Sequence, residues 1–162
     1  MGSSASVEAI SVTHVEVDLF VNSSDVIPAE VKTLTATGKL SVKKMSVSQT
    51  HDIYQDYVCS SALRAAREVF ATVPVQVVLV HAIGELLNTA TGHVEPTAIL
   101  SVLMPRETMH RLHFEAIDAS DSMQNFMHRM KFQKTKGFSP VEPLTIESYE
   151  ALPGGAGRVQ RR

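Results

Sequence analysis

A periodic apolar stripe between residues 50 and 73 is the strongest hydrophobic pattern in this chain. Apolar side chains recur there every three or four residues, which places them on one side of an α-helix with 3.6 residues per turn. The stripe consists of Tyr54, Val58, Ser61, Ala62, Ala65, Ala66 and Val69. Because four of these seven residues are Ala or Ser, we predict a long amphipathic helix that packs closely on a flat partner such as a β-sheet. Pro74 is expected to end it.

Alternating segments before this helix predict three β-strands. In residues 11–21 valine and leucine alternate with polar side chains, so one face of the strand is apolar and the other carries carboxylates. Residues 30–36 and 39–47 predict a hairpin, because Gly38 between them can adopt the positive φ of a tight turn. The apolar register slips by one residue at Lys43 and Lys44, and we expect a β-bulge there.

Segments after the helix predict two strands and two helices. The β-branched run at residues 75–82 is typical of a central strand covered on both faces, and residues 97–104 are expected to pair with it antiparallel. Pro105 suits the first turn of a short helix over residues 105–113. Apolar residues at helical spacing predict another helix over residues 120–130, with Ser120 as its N-cap.

These segments follow the order β-β-β-α-β-β-α-α and predict an α+β domain whose mixed sheet carries the long helix on one face. We expect a single domain over residues 11–150. Residues 1–10 are expected to be disordered or vector-derived, because Met1-Gly2-Ser3-Ser4 resembles sequence left by cloning. The glycine- and arginine-rich residues 151–162 predict a flexible tail.

Composition narrows the class of protein. The chain has 162 residues, of which 44% are hydrophobic, enough for one hydrophobic core. A net charge of −2 and a pI near 6.4 give no bulk electrostatic reason for binding nucleic acid or an anionic membrane. Cys59 is the only cysteine, which excludes an intramolecular disulfide, and the apolar runs are too short to span a membrane. We therefore expect a soluble cytoplasmic protein without membrane association.

Charged residues on the early strands suggest a candidate active site. Asp18 and the pair Glu30-x-Lys32 are the residue types of a magnesium-dependent nuclease, because carboxylates hold Mg²⁺ and lysine polarises the attacked phosphate. Three strands, a helix and a further strand resemble the core of restriction endonucleases, here in a degenerate form. In that family the acid-x-Lys pair lies on the strand leading into the helix, but residues 39–47 contain no carboxylate. The alternative is an exposed strand face with ordinary charges.

One basic stretch is a candidate nucleic-acid surface. It contains Arg129, Lys131, Lys134 and Lys136, interleaved with Phe132 and Phe138. Cations next to aromatic rings can hold phosphates and stack bases. The alternative is a solvated segment that the phenylalanines anchor to the core. We therefore expect any nucleic-acid binding here to be weak and salt-dependent.

Two further patterns have simpler explanations. Glu107, His110 and His113 can share a helix face, as in half of a helical metal site, but a single copy of that pattern is usually solvated surface. Cys59 lies in mid-helix beside the apolar stripe, without the helix N-terminus or close cation that would lower the pKa of its thiol. We predict a buried structural cysteine and no metal site.

Three stretches resemble the C-terminal region of some uncharacterised bacterial proteins. They are Tyr-Gln-Asp-Tyr-Val-Cys-Ser at residues 54–60, Leu-Asn-Thr-Ala-Thr-Gly-His at 87–93, and His-Arg-Met-Lys-Phe-Gln-Lys-Thr-Lys-Gly-Phe at 128–138. The resemblance covers roughly residues 11–143. It implies a bacterial origin and an N-terminal partner domain, but no known activity and no catalytic residues.

Two hypotheses about function follow. The first is a non-catalytic binding or assembly module that has no cofactor and binds a protein partner or itself. The second is a Mg²⁺-dependent nuclease that uses Asp18, Glu30 and Lys32. We favour the first hypothesis, because no catalytic constellation is complete and the most regular patterns are packing patterns.

Overall fold

A six-stranded mixed sheet is the main feature of the computed structural model, which describes residues 4–150. The strands are β1 (Ser4–Ala9), β2 (His14–Phe20), β3 (Glu30–Leu34), β4 (Leu40–Lys44), β5 (Val77–Asn88), β6 (His93–Pro105), β7 (Met127–Gln133) and β8 (Gly137–Ser139). The large sheet has the order β1-β2-β5-β6-β7-β8, while β3 and β4 form a separate hairpin. Strands β2 and β5 run parallel, and the other neighbours run antiparallel. The predicted α+β class with a mixed sheet is confirmed.

One long helix packs on this sheet. The helices are α1 (Val47–Thr72), α2 (Arg106–Arg111), α3 (Ala119–Ser122) and α4 (Ile146–Glu150). Helix α1 begins with a capping box, in which Ser46 Oγ accepts the N–H of Gln49 and the Gln49 side chain accepts the N–H of Ser46. Its buried residues are Tyr54, Val58, Cys59, Ala62, Leu63, Ala66, Val69 and Phe70. The predicted stripe is thus confirmed in all but Ser61 and Ala65, which are half-buried.

The sheet has two different faces, because successive residues of a strand point to opposite sides. The helix face is the side that packs on α1, and it carries Val17 of β2 and Val80 of β5. The back face is the opposite side. Its apolar residues are Val77, Leu79 and Leu103, and Leu144 and Ile146 from the C-terminal segment (residues 140–149) pack against them. The prediction that β5 is a central strand covered on both faces is therefore confirmed.

The helix predicted over residues 120–130 is wrong. Only α3 and a 3-10 turn at Met123–Asn125 are helical, and Asp118 instead of Ser120 is the N-cap. The chain then enters β7, which pairs antiparallel with β6. The error has a physical reason: apolar residues at 123, 126, 127 and 130 fit a helical period, and pairing with a long buried strand overrides that local signal.

Two smaller expectations also differ from the structure. Residues 4–9, expected to be disordered or vector-derived, form the edge strand β1, whose exposed side chains leave no hydrophobic pattern to detect. The strand does not test the vector origin, which stays a prediction. No bulge occurs at Lys43 and Lys44, because β4 ends at Lys44 after regular pairing with β3. The register shift lies between β5 and β6, at Ala82 and Ile83. The predicted flexible tail, residues 151–162, lies outside the described residues.

Within the described part of the chain, no helix is both long enough and apolar enough to cross a membrane.

Candidate metal site

A row of polar side chains crosses the back face of the sheet. The register places Asp18 of β2 opposite His81 of β5, His81 opposite Ser101 of β6, and Ser101 opposite Arg129 of β7. Residues directly opposite each other project from the same face. His81 and Ser101 are both buried. Buried polar groups are unfavourable unless they are hydrogen-bonded, so the partners of these two residues determine what the row can do.

Hydrogen bonds hold the His81 ring in one orientation. Its Nδ1 lies 2.9 Å from Ser101 Oγ, which also accepts the N–H of Leu144 at 2.9 Å. A serine hydroxyl can donate one hydrogen and accept two, so Ser101 can serve Nδ1 either as donor or as acceptor. This leaves the other ring nitrogen, Nε2, to face the carboxylate of Glu16, with 3.3 Å between Nε2 and Oε1. The C-terminal segment thus helps to orient His81, through Leu144.

Glu16, Asp18 and His81 bring three potential ligand atoms within 4.8 Å of one another. Glu16 and Asp18 are two residues apart on β2 and therefore share the back face, and the parallel pairing with β5 adds His81. In tetrahedral Zn²⁺ sites with bonds of ~2.0–2.1 Å, the ligand atoms lie about 3.3–3.4 Å apart. The contact of 3.3 Å between Glu16 and His81 already has that spacing. Binding an ion would require the half-buried Glu16 and Asp18 to rotate until the remaining separations reach this spacing.

The charge around this cluster also favours a cation. Glu8 on the edge strand β1 lies directly opposite Glu16, so a third carboxylate projects from the same face. Like charges at directly opposed positions of a sheet are destabilising. Among the residues that the structure describes, no lysine or arginine forms an ion pair with Glu8, Glu16 or Asp18. A bound cation would relieve this repulsion.

The nuclease residues predicted from the sequence are not brought together. Asp18 lies in the cluster with Glu16 and His81, whereas Glu30 and Lys32 lie on the separate β3–β4 hairpin, where both are exposed. The sequence pattern missed His81 and Ser101, because each lies within a long apolar run that predicts a buried strand. A signal was present nevertheless: His81 is the one ionisable side chain in residues 75–82.

Two of the four cations in the predicted nucleic-acid surface are paired. Arg129 Nη1 lies 3.2 Å from Glu142 Oε2, and Lys134 Nζ lies 3.0 Å from Asp52 Oδ2. Lys131 and Lys136 are exposed. The Phe132 and Phe138 rings pack edge to face with their centroids 5.2 Å apart, and both belong to the core that contacts α1. The phenylalanines therefore anchor this segment, and nucleic-acid binding at its cations stays a prediction.

The remaining sequence candidates lie elsewhere. Glu107 and His110 are exposed on α2, and the exposed His113 follows the end of that helix. Cys59 is fully buried, as predicted. Burial raises the pKa of its thiol to about 12, and the charges of Asp56 and Asp118 add to the shift. Cys59 is therefore protonated at neutral pH, which does not suit a nucleophile or a metal ligand.

Comparisons with protein-family models, curated proteins and solved structures give no match to this chain. The resemblance to the C-terminal region of bacterial proteins therefore stays a prediction.

Proposed function

We propose that this domain is a binding module that holds a divalent transition-metal ion between Glu16, Asp18 and His81. The observation that carries the proposal is the convergence of their ligand atoms within 4.8 Å, on a face where His81 is held by a buried hydrogen bond to Ser101. Metal-binding histidines commonly donate their second ring N–H to an oxygen atom that fixes the ring. The proposal keeps the preference for a binding module and adds a metal ion, which the sequence suggested only for the nuclease alternative.

The ligand types favour Zn²⁺ or Mn²⁺. Imidazole nitrogen suits zinc and other transition metals, whereas Mg²⁺ and Ca²⁺ prefer sites made of oxygen atoms alone. One imidazole and two carboxylates leave at least one coordination position for water, for Glu8 or for a group on a partner. A metal at this site would join β2 to the neighbouring strand β5, and Glu8 would extend the connection to the edge strand β1.

The nuclease hypothesis is less well supported. It needs a lysine close to the metal-binding carboxylates, and Lys32 lies instead on the separate hairpin together with Glu30. In the described residues neither Glu16 nor Asp18 has a lysine partner. We therefore expect the purified protein to show no Mg²⁺- or Mn²⁺-dependent cleavage of DNA or RNA. Cleavage that disappears in Asp18→Asn would favour the nuclease instead.

Calorimetric titration with ZnCl₂ and MnCl₂ tests the proposal. We expect one ion per chain for the natural sequence, and at least about tenfold weaker binding in His81→Gln and in Asp18→Asn, because each change removes one ligand. His93→Gln is the matched control, since His93 is an exposed histidine on the same sheet but outside the cluster. Absence of binding by the natural sequence, or equal loss in the control, would refute the proposal.

A stability measurement provides a second readout. A metal that binds only the folded state raises the melting temperature in a concentration-dependent way. Protons compete with the metal for the imidazole, so we expect this increase to shrink as the solution is acidified. His81→Gln should reduce the increase at a given metal concentration while remaining folded by circular dichroism, which separates weaker metal binding from loss of the fold.

A further inference from the structure

The β3–β4 hairpin exposes apolar side chains that belong to neither hydrophobic core of the described chain. Its two strands pair only with each other. Leu34 is 76% exposed, Leu40 61% and Val42 48%, and the register places all three on the same face of the hairpin. A two-stranded hairpin is at best marginally stable in water unless it packs on another surface. The exposed face therefore suggests a partner.

The same hairpin is strongly basic. Residues 30–44 contain four lysines and one acidic residue, Glu30, so their net charge is +3 (four minus one). The lysines are Lys32, Lys39, Lys43 and Lys44. None of them forms an ion pair within the part of the chain that the structure describes. The partner surface should therefore be acidic with an apolar centre.

This chain itself carries such a surface. A cleft of about 480 Å³ lies between α1 and residues 118–134, and four aspartates line it: Asp52, Asp56, Asp118 and Asp121. Its accessible apolar lining comes from the half-buried Met130, because Met123 borders the cleft but is only 1% exposed. Only Asp52 is neutralised among the described residues, by Lys134. The Asp118 carboxylate is stabilised by the backbone N–H of Asp121 and the Ser120 hydroxyl, which lower its pKa.

We propose that the β3–β4 hairpin of one copy docks into this acidic cleft on a second copy. Leu34 and Leu40 would meet Met130. Lys32 and Lys44, which share their face of the hairpin, would meet the aspartates. Among the described residues the hairpin makes no ion pair with the cleft of its own chain. The complementary charges of the hairpin and the cleft are therefore free to pair between two molecules. If each copy inserts its hairpin into the other, the contact occurs twice and closes as a two-fold symmetric dimer. This proposal is independent of the metal site.

A charge-swap experiment tests the docking. One variant carries Lys32→Glu and Lys44→Glu, which lie on the apolar face of the hairpin, and the other carries Asp56→Lys and Asp121→Lys. All four positions are exposed and none caps a helix. We expect the natural sequence to form a dimer in sedimentation equilibrium at low salt. Each variant alone should dimerise at least about tenfold more weakly, because like charges then face each other across the contact. A mixture of the two variants should recover a heterodimer, because both of its contacts pair opposite charges.

The controls make each outcome decisive. Arg111→Glu with Lys131→Glu reverses two exposed charges outside both surfaces and should leave the dimer unchanged. A natural sequence that is monomeric at low salt, a dimer that survives both variants, or a mixture that stays monomeric would each overturn the proposal. A monomeric protein whose hairpin lysines bind duplex DNA or phosphatidylserine vesicles would also overturn it, because the hairpin would then be a binding surface for polyanions.

Discussion

The two faces of the large sheet are built from the same strands but differ in chemistry. On the helix face β2 and β5 present aliphatic residues such as Val17 and Val80 to α1. On the back face the same strands present Asp18 and His81 beside Leu79, and the C-terminal segment covers only part of this surface. Where β2 and β5 face α1, they therefore offer aliphatic surface for packing but, among the described residues, no polar side chains for binding. The back face combines a small core with a polar site at its margin, where burial orients His81 and exposure leaves the carboxylates accessible.

The largest effect is expected where the back face is most apolar. Leu79 is fully buried under Leu144 and Ile146, so Leu79→Ala should lower the free energy of unfolding by about 2–5 kcal/mol, measured by urea denaturation. Leu87 on the same strand is 61% exposed, and Leu87→Ala should change stability by less than ~0.5 kcal/mol. Similar small effects for both would mean that the C-terminal segment does not form a second core.

Overpacking tests the helix face. Ala62 of α1 is completely buried, so Ala62→Phe should force the helix away from the sheet and destabilise the protein by about 1–3 kcal/mol in thermal melting. Ala71→Phe, at an exposed position of the same helix, is the control and should be nearly neutral. An unchanged melting temperature for Ala62→Phe would mean that the side of α1 carrying Ala62 does not pack against the sheet.

This difference between the faces explains what could be predicted from the sequence. The helix stripe and the β5 run were visible because periodic burial leaves a periodic pattern. Residues 140–149 have no such period, so nothing local indicates that Leu144 covers Leu79. The parallel pairing that joins Asp18 to His81 depends on a crossover through α1, which fixes a register that no short motif encodes. The sequence pattern therefore groups Asp18 with Glu30 and Lys32, whereas the fold brings it next to Glu16 and His81.

Alkaline pH should act through the helix face. The pKa of Cys59 rises from 9.0 to about 12 because the thiol is buried, so the unfolded chain ionises it at lower pH than the folded protein does. Its contribution to stability is complete below pH 9 and is lost between pH 9 and about 12. When the pH is raised from about 8 to about 10.5, the free energy of unfolding of the natural sequence should fall by about 1–2 kcal/mol more than that of Cys59→Ala. Urea denaturation at the two pH values measures this difference. Equal losses would contradict a buried, protonated thiol.

The smallest effect is expected at the exposed cations of the basic segment. Replacing Lys131 and Lys136 by serine should change the free energy of unfolding by less than ~0.5 kcal/mol, because both side chains are exposed. Any binding of short oligonucleotides, followed by fluorescence anisotropy, should be weak, with dissociation constants of about 10⁻⁴–10⁻⁶ M at physiological salt. Submicromolar binding that disappears in this double variant would establish a nucleic-acid surface.

The central claim is that Nε2 of His81 binds a metal on the back face, and NMR of the histidine ring nitrogens tests it most directly. During a zinc titration we expect the His81 nitrogen signals to change in proportion to bound metal, with Nε2 as the coordinating atom and the hydrogen on Nδ1, facing Ser101. The signals of His93, an exposed histidine on the same sheet but outside the cluster, should stay unchanged. Unaltered His81 signals in the presence of saturating zinc would contradict the account.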